Sequence, residues 1–397
     1  MHVGRIGKLV GISVLAVFLF VAVFGQPNRP ITKTEEGTRV DTPVTLTGTG
    51  TRPFAMGFSQ WPPSFDLVDI KDTYAWNAAH ADIFVYHQTA GIPWQNAYDD
   101  APFDKIEGED YWGLVRAGMP KEGKRYLALT PLDTNRTGLA PNVTKDNDNA
   151  TLPKEWSELA LNDPKIKRAY LNYVLRAIKY FQPDYLAISI EPNIMLTKDE
   201  ANWEAHKELY LYIRGEVKKR YPTLPIFASL QYENYMGYTS ESKDKVELQR
   251  IKMQSLLEAS DIIGVSTYPY FSQSTIVPKD YFLPLAEFHK PIAIVESGYA
   301  SVPFKVYGWP FAVSEELQKK YFEILFASAH RDKYIFIINW ISKDYTKLLD
   351  EMPFYAKEFA RIWVSTGLRD AEGNVKPAYY LWETEYLRTL NREVEPQ

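Results

Sequence analysis

Residues 185–191 read Y-L-A-I-S-I-E, a near-continuous apolar run that ends abruptly on a glutamate. Such a short, uninterrupted run predicts a β-strand buried on both faces, as in a parallel sheet. Runs of the same kind recur along the chain, each followed by a loop and then by an amphipathic stretch. The eight predicted strands are 54–60, 82–88, 125–130, 185–191, 225–231, 261–267, 291–296 and 334–340.

The segments between these runs have the spacing of helices. In 166–181 the apolar residues recur every three or four positions and form one stripe along a helix. Glu315 and Glu316 open another predicted helix, where the positive end of the helix dipole favours acidic side chains. Thr197 and Glu200 form a predicted capping box. The predicted helices are 66–80, 109–119, 166–181, one from this capping box to about 220, 244–258 and 315–331.

Strands that alternate with helices predict an α/β fold, and eight such pairs predict a (β/α)8 TIM barrel with insertions, occupying residues 53–392. A doubly wound parallel sheet is the alternative. That alternative lacks its usual phosphate-binding loop, because neither G-x-G-x-x-G nor G-x-x-x-x-G-K-[ST] follows any predicted strand.

The beginning of the chain is typical of an exported protein. A positively charged start precedes an uncharged apolar run at residues 10–24, which is the arrangement of a secretory signal. The run is shorter than the roughly 20 residues of a comfortable membrane span. Residues 1–25 are therefore interpreted either as a signal peptide or as an N-terminal signal anchor, and residues 26–52 as a linker. We expect a secreted, periplasmic or otherwise extracytoplasmic protein, either free or held to the membrane by this segment.

Composition excludes several classes of function. The net charge of −5 leaves no basic surplus to neutralise a phosphate backbone, which argues against a nucleic-acid partner. The absence of cysteine excludes disulfides, thiolate metal ligands and a cysteine nucleophile. The 6 histidines show no metal-binding spacing such as H-E-x-x-H, so we expect neither a metal nor an organic cofactor. The sequence leaves the oligomeric state open.

Two glutamates stand at the ends of apolar strands, Glu191 after L-A-I-S-I and Glu296 after I-A-I-V. A carboxylate beside buried apolar residues costs several kcal/mol unless it is paired, hydrogen-bonded or protonated. In a TIM barrel the carboxyl ends of the fourth and seventh strands lie on opposite sides of the mouth, where active sites collect. Glycoside hydrolysis needs two carboxylates that flank one bond. The alternative for each glutamate is a structural ion pair with Arg or Lys.

Other residues near the predicted strand ends are open to two interpretations. Trp61 and His87 follow or end the first and second strands, where they either line the cleft and bind substrate or simply pack. Glu233 lies in a polar stretch and is interpreted as a solvated loop acid. The long irregular segment 131–163 would lie on the catalytic face, where a lid or cleft wall is as plausible as a passive insertion.

Several strand-end motifs together resemble a known group of enzymes. They are Glu191-Pro192, S-T-Y-P-Y at 266–270, V-E-S-G-Y at 295–299, I-N-W at 338–340 and the segment 365–379. In their order and strand placement they resemble the clan A glycoside hydrolases, which include retaining cellulase, β-mannanase and endo-β-galactanase TIM barrels. The resemblance spans the whole barrel and does not assign a subfamily.

The resemblance implies a role for each matching residue. Glu191 would be the acid/base and Glu296 the nucleophile. Tyr268 would donate a hydrogen bond to the nucleophile, and Trp340 would be the stacking platform beneath the sugar at the cleavage point.

The sequence departs from this pattern at one position. Most of the clan has an asparagine directly before the acid/base, where it holds the sugar 2-hydroxyl, whereas this chain has Ile190. Asn193, Gln231 and Asn234 are the candidates to replace it. This departure weakens the assignment to a subfamily and, to a lesser degree, the expectation of catalysis.

The sequence therefore predicts a retaining glycoside hydrolase that cleaves a β-linked polysaccharide or oligosaccharide by double displacement. Retention requires the two carboxyl groups to lie roughly 5–5.5 Å apart. The alternative is a non-catalytic glycan-binding TIM barrel, for which Ile190 is the main support. A metal-dependent hydrolase is a third possibility, against which the missing His/Asp ligand spacing argues.

Overall fold

A computed structural model describes residues 48–88, 91–103, 111–120, 122–145, 147–272, 276–352 and 354–391. The predicted signal segment 1–25 and most of the predicted linker lie outside these residues. Within them, no helix is both long and apolar enough to cross a membrane. The same residues contain no group of three or more His, Asp or Glu side chains arranged to hold a metal ion.

The centre of the fold is a closed barrel of eight parallel strands, in which each strand pairs with its neighbours and the last pairs with the first. Each predicted strand overlaps one barrel strand, so the TIM-barrel prediction is confirmed and the doubly wound alternative is excluded. Two short pairs of strands complete the sheet structure. The strands are β1 Thr51–Arg52, β2 Ala55–Phe58, β3 Ile83–His87, β4 Lys124–Ala128, β5 Tyr185–Ser189, β6 Ile226–Gln231, β7 Ile263–Thr267, β8 Ile292–Ser297, β9 Phe304–Val306, β10 Trp309–Phe311, β11 Phe336–Asn339 and β12 Thr389–Leu390.

Helices surround the barrel, and each predicted helix is present. They are α1 Leu67–His80, α2 Trp94–Asp99, α3 Tyr111–Gly118, α4 Lys154–Ser157, α5 Pro164–Phe181, α6 Met195–Lys198, α7 Trp203–Arg220, α8 Tyr232–Tyr235, α9 Val246–Ala259, α10 Glu315–Asp332, α11 Thr346–Glu351, α12 Phe354–Ala360 and α13 Pro377–Tyr386, with short 3-10 turns at 192–194, 200–202, 269–271 and 283–288.

Local chemistry explains the ends of these helices. The Asp163 side chain accepts a hydrogen bond from the backbone N–H of Lys165 and so caps α5, and Ser314 caps α10 in the same way. The predicted capping box is wrong, because α7 begins at Trp203 and the Thr197 hydroxyl donates to the carbonyl of Ile194 instead.

The barrel interior is filled by a separate cluster of buried side chains. Tyr126 lies at its centre, with ring centroids 5.7 Å from Phe227 and 5.4 Å from Phe336. Ile190 belongs to this cluster and is 2% exposed. The position directly before Glu191 is therefore part of the packed interior. The outer core lies between the strands and the helices.

The two ends of the described chain meet beside the amino ends of the barrel strands. Strand β1 pairs in parallel with β12. Arg52 is buried, and its guanidinium donates to the Phe54 carbonyl at 2.6 Å and to Asp82 Oδ1 at 2.9 Å. Arg52, the last residue of the predicted linker, is thus packed against the base of the barrel.

A buried ion pair joins the loops around the end of β11. Lys376, at the start of α13, is 1% exposed. Its ammonium group donates to Asp344 Oδ1 at 2.7 Å, to Ser301 Oγ at 2.8 Å and to the Gly367 carbonyl at 2.9 Å. Burial raises the pKa of Asp344 to about 7, although the charge of Lys376 acts in the opposite direction. The pair ties the segment before α13 to the loops that follow β8 and β11.

Candidate active site

A cavity with a volume of about 110 Å³ opens at the carboxyl ends of the barrel strands. Both strand-end glutamates line it, together with side chains from the ends of the neighbouring strands and from the loops above them. The lining residues are His87, Thr134, Arg136, Glu191, Ile194, Gln231, Asn234, Thr239, Glu241, Tyr268, Phe271, Glu296, Trp340, Phe359, Ile362 and Trp363.

A larger and more open groove lies at the opposite end of the barrel, lined by 178–179, 182–185 and 220–225. Its carboxylate, Asp184, is 3.4 Å from Lys124 Nζ and accepts a hydrogen bond from the backbone N–H of Arg125. Among the described residues that line this groove, Asp184 supplies the carboxylate and is already bonded, so the smaller cavity is the stronger candidate for acid–base chemistry.

Glu296 lies on β8 and is held by two side chains. The Tyr268 hydroxyl donates to Oε1 at 2.7 Å, and Nε2 of His87 lies 3.1 Å from Oε2. Burial by itself would raise the pKa of Glu296. The hydrogen bonds from His87 and Tyr268 outweigh burial and hold this pKa below its usual value. This environment stabilises an ionised carboxylate.

Glu191 follows β5 in a left-handed backbone conformation, with φ of 50°. A non-glycine residue in this region costs on the order of 1–3 kcal/mol and is often found at functional sites. Its backbone N–H donates to Ser229 Oγ at 2.9 Å, and its Oε1 accepts from Ser266 Oγ at 2.6 Å. Burial, followed by the negative charge of Glu296, raises the pKa of Glu191. The two carboxylates of the cavity therefore have pKa values shifted in opposite directions.

Arg136 is a cavity residue that sequence reasoning missed. Its Nη2 lies 3.2 Å from Oε2 of Glu191, and its charge partly offsets the raised pKa of that glutamate. Arg136 has a φ of 61° in a turn held by Asp133, whose Oδ1 accepts from the backbone N–H groups of Thr137 at 2.9 Å and Gly138 at 3.3 Å. The irregular segment 131–163 thus supplies part of the cavity wall. The turn residues D-T-N-R-T-G signal a loop, but nothing in them indicates contact with Glu191.

Aromatic side chains form much of the remaining wall. Trp340 lines the cavity with its ring perpendicular to that of His87, at 5.3 Å between centroids. The ring centroid of Trp61 lies 6.3 Å from that of Trp340, and Trp61 is not among the lining residues, so the structure favours its interpretation as a packing residue. Further apolar lining comes from residues beyond the strand ends that the sequence prediction did not include, namely Phe271, Phe359, Ile362 and Trp363.

The three candidates to replace the missing asparagine lie in different places. Asn193 is fully buried, donates to the Gln231 carbonyl at 3.1 Å and to Gln249 Oε1 at 3.0 Å, and does not line the cavity. Its predicted role in substrate binding is therefore replaced by support of the end of β6. Gln231 and Asn234 do line the cavity, and the Asn234 backbone N–H donates to Gln231 Oε1 at 2.6 Å.

The interpretation of Glu233 as a solvated loop acid is wrong. Its side chain is 0% exposed, and its carboxylate accepts four hydrogen bonds from residues at the ends of β6 and β7 and from Tyr281. Burial raises its pKa, against the effect of the hydrogen bonds from Thr267 and Tyr281. The polar surroundings that suggested a solvated loop form part of a buried network instead.

No protein-family model and no curated protein matches this chain. Its structure is similar to the Ignisphaera aggregans GH53 catalytic domain, with 17% sequence identity and a TM-score of 0.51, over 87% of this chain and 100% of that one. It is also similar to the exo-β-1,4-mannosidase Op5Man5 from Opitutaceae bacterium strain TAV5, with 12% identity and a TM-score of 0.55, over 88% of this chain and 62% of that one. At these identities the similarity confirms the TIM-barrel fold and the predicted resemblance to glycosidase barrels in fold.

Proposed function

We propose that this protein is a retaining glycoside hydrolase that cleaves a β-linked glycan, with Glu296 as nucleophile and Glu191 as general acid/base. The observation that supports the proposal most directly is a pair of buried carboxylates in one cavity whose partners shift their pKa values in opposite directions. Such a divergence separates an acid from a nucleophile at the same pH.

In the first step Glu296 attacks the anomeric carbon of the bound sugar, and the glycosidic C–O bond breaks. Glu191 transfers its proton to the departing oxygen, so that the leaving group departs as an alcohol. Tyr268 and His87 keep Glu296 ionised and oriented for attack. Trp340 offers a flat face on which the sugar ring stacks.

In the second step water attacks the glycosyl–enzyme ester, and Glu191 accepts its proton. The ester carries no charge, so the Coulomb effect by which Glu296 raises the pKa of Glu191 disappears after the first step. The pKa of Glu191 therefore falls, and its ionised form is favoured at the point where a base is required. Arg136 also favours the ionised form of Glu191, because its positive charge stabilises the carboxylate.

A non-catalytic glycan-binding barrel is the second candidate, and the specific observation in its favour is Ile190, an apolar residue in the packed interior directly before Glu191. The two functions are separated by incubating the protein with galactan, mannan, glucan and bacterial exopolysaccharides and measuring reducing-end release. Hydrolysis in which NMR detects the β-anomer as the first product supports a retaining hydrolase. Glycan binding without any hydrolysis supports the binding barrel.

We also propose that the protein acts outside the cytoplasm, from the charged start and apolar run of its first 25 residues. Fractionation of expressing cells tests this placement. Recovery in the medium, periplasm or washed membranes supports export, and recovery in the cytoplasm alone contradicts it.

The pH dependence of kcat/KM is expected to be bell-shaped. Activity should fall on the acid side as Glu296 takes up a proton, at a pH below the usual range of a glutamate because its pKa is lowered. Activity should fall on the alkaline side as Glu191 loses its proton, and the raised pKa of Glu191 moves this limb upward. Initial rates measured across the pH range define both limbs.

Glu191→Gln should remove the alkaline limb and lower kcat/KM by about 10²–10⁴-fold on substrates whose leaving group needs protonation. On an aryl glycoside whose leaving group is an acidic phenol, kcat/KM should fall much less, since that leaving group departs without a proton. The matched control is Glu287→Gln, the same substitution at an exposed side chain outside the cavity. Equal losses on both kinds of substrate would contradict the acid/base assignment.

Arg136→Met should move the alkaline limb of kcat/KM upward by about one pH unit. The guanidinium lowers the pKa of Glu191, so its removal leaves burial and Glu296 to raise that pKa further, and an opposite charge at this distance has an effect of this order. Arg176→Met, which removes an arginine paired with Asp100 away from the cavity, is the control. A downward shift in Arg136→Met would show that another group governs the alkaline limb.

A further inference from the structure

We propose that Glu233 is a positioning residue of the active site, which holds Gln231 and Tyr268 in register and through Tyr268 orients the nucleophile Glu296. This inference rests on the proposed function. It assigns a role to a third carboxylate that takes no part in the two chemical steps.

The contacts of Glu233 connect three separate parts of the chain. Its Oε2 accepts from Nε2 of Gln231 at 2.7 Å, at the end of β6. Its Oε1 accepts from Oγ1 of Thr267 at 2.5 Å and from the backbone N–H of Tyr268 at 2.9 Å, at the end of β7, and from the Tyr281 hydroxyl at 2.5 Å. One side chain therefore bridges the ends of two neighbouring barrel strands.

This network reaches the nucleophile through Tyr268. The backbone of Tyr268 is held by Glu233, and its hydroxyl donates to Oε1 of Glu296 at 2.7 Å. Its ring is 2% exposed and packs 5.5 Å from Phe271 and 5.9 Å from Trp363. A buried ring fixed on both sides transmits a shift of its backbone to its hydroxyl, because the surrounding side chains leave little room for another rotamer.

On the other side the network reaches the cavity wall through Gln231. Nε2 of Gln231 is bonded to Glu233, and its Oε1 accepts from the backbone N–H of Asn234. Both ends of this amide are thus used within the protein, and the face of Gln231 toward the cavity is fixed before any ligand arrives. Groups held in this way lose little entropy on binding.

The donors around Glu233 distinguish a carboxylate from an amide. The Gln231 amide nitrogen and the Tyr268 backbone N–H can only donate, and they meet different oxygens of Glu233. In Glu233→Gln one of these oxygens becomes an NH2 group, so a donor faces a donor in either orientation of the new amide. The substitution keeps size and shape but breaks one arm of the network.

The test is the position of the acid limb of kcat/KM, which reports the pKa of Glu296. Other ionisable groups also act on Glu296 or Tyr268, and none of them is changed in this variant: His87, Glu191, Arg136, Tyr126 and Tyr270. We expect Glu233→Gln to lower kcat by about 10- to 100-fold. We also expect it to raise the acid limb by about 0.5–1 pH unit, because a loosened Tyr268 lowers the pKa of Glu296 less.

Tyr281→Phe removes one hydroxyl donor from Glu233 without a donor–donor contact and should produce a smaller shift in the same direction. Tyr210→Phe is the matched control, since Tyr210 is similarly buried and its hydroxyl is hydrogen-bonded to Ser260, away from the cavity. Tyr268→Phe should raise the acid limb by itself, and adding Glu233→Gln to it should raise the limb no further.

The proposed function and the role of Glu233 are contradicted by different outcomes. An inactive wild type, or a wild type that does not depend on Glu296, contradicts the proposed function. An active wild type whose acid limb is unmoved in Glu233→Gln and Tyr281→Phe, with only thermal stability reduced, shows that Glu233 is merely structural and overturns this inference. Should Glu233→Gln fail to fold, Tyr281→Phe decides between the two.

Discussion

Glu296→Gln is expected to lower kcat/KM by about 10⁴-fold or more, the scale seen when a catalytic nucleophile is removed. An amide cannot form the glycosyl ester, and it is too weak a nucleophile to replace the carboxylate. The side chain keeps its size and can still accept the hydrogen bond from Tyr268. We therefore expect carbohydrate binding, measured by calorimetry, to persist while hydrolysis, measured by reducing-end release, is lost.

Glu287→Gln serves as the control here as well, because it makes the same chemical change at an exposed carboxylate. The double-displacement proposal fails if Glu296→Gln retains more than a few percent of the wild-type rate. It also fails if the wild type cleaves no β-glycan while both proteins bind sugar equally, which is the result expected of a binding barrel.

Lys376→Met is expected to destabilise the fold by about 3–5 kcal/mol, the range found when one partner of a buried ion pair is removed. The substitution preserves the length and bulk of the side chain but leaves Asp344 buried without its cation. Asp344 must then be protonated in the folded state while it ionises near pH 4 when unfolded. The loss of unfolding free energy relative to the wild type should accordingly be larger at pH 8 than at pH 5. Denaturant unfolding at the two pH values measures this difference.

A second variant separates charge from packing in this pair. Lys376→Met combined with Asp344→Asn removes the buried charge and keeps the oxygen that accepts from the Gly367 backbone N–H at 3.0 Å. It should be more stable than Lys376→Met alone and should show little difference between the two pH values. If the stability of the double variant depends on pH as strongly as that of Lys376→Met, a group other than Asp344 causes the pH dependence.

The barrel and its central pair of acids were predictable because each depends on a local pattern. Runs such as 185–191 and 291–296 are too apolar for any position except a strand covered on both faces. A glutamate at the end of such a run has few stable environments, and the closure of the barrel brings the ends of β5 and β8 to one mouth. The position of both carboxylates in the cavity follows from topology rather than from any single motif.

The partners of these acids were not predictable in the same way. Arg136 reaches Glu191 across 55 positions of sequence and from a left-handed turn, a conformation that depends on the hydrogen bonds of Asp133. Glu233 looked solvated because its neighbours in sequence are polar, yet those neighbours fold inward and bond to it. Such contacts depend on how loops close over the strands, which composition and periodicity do not determine.

The pairing of β1 with β12 has a practical consequence for handling the protein. A bead, fusion partner or lipid surface that holds the chain through residues ahead of Gly48 is joined at the base of the barrel. The cavity lies at the other end of the barrel, so tethered preparations should leave it accessible to large ligands.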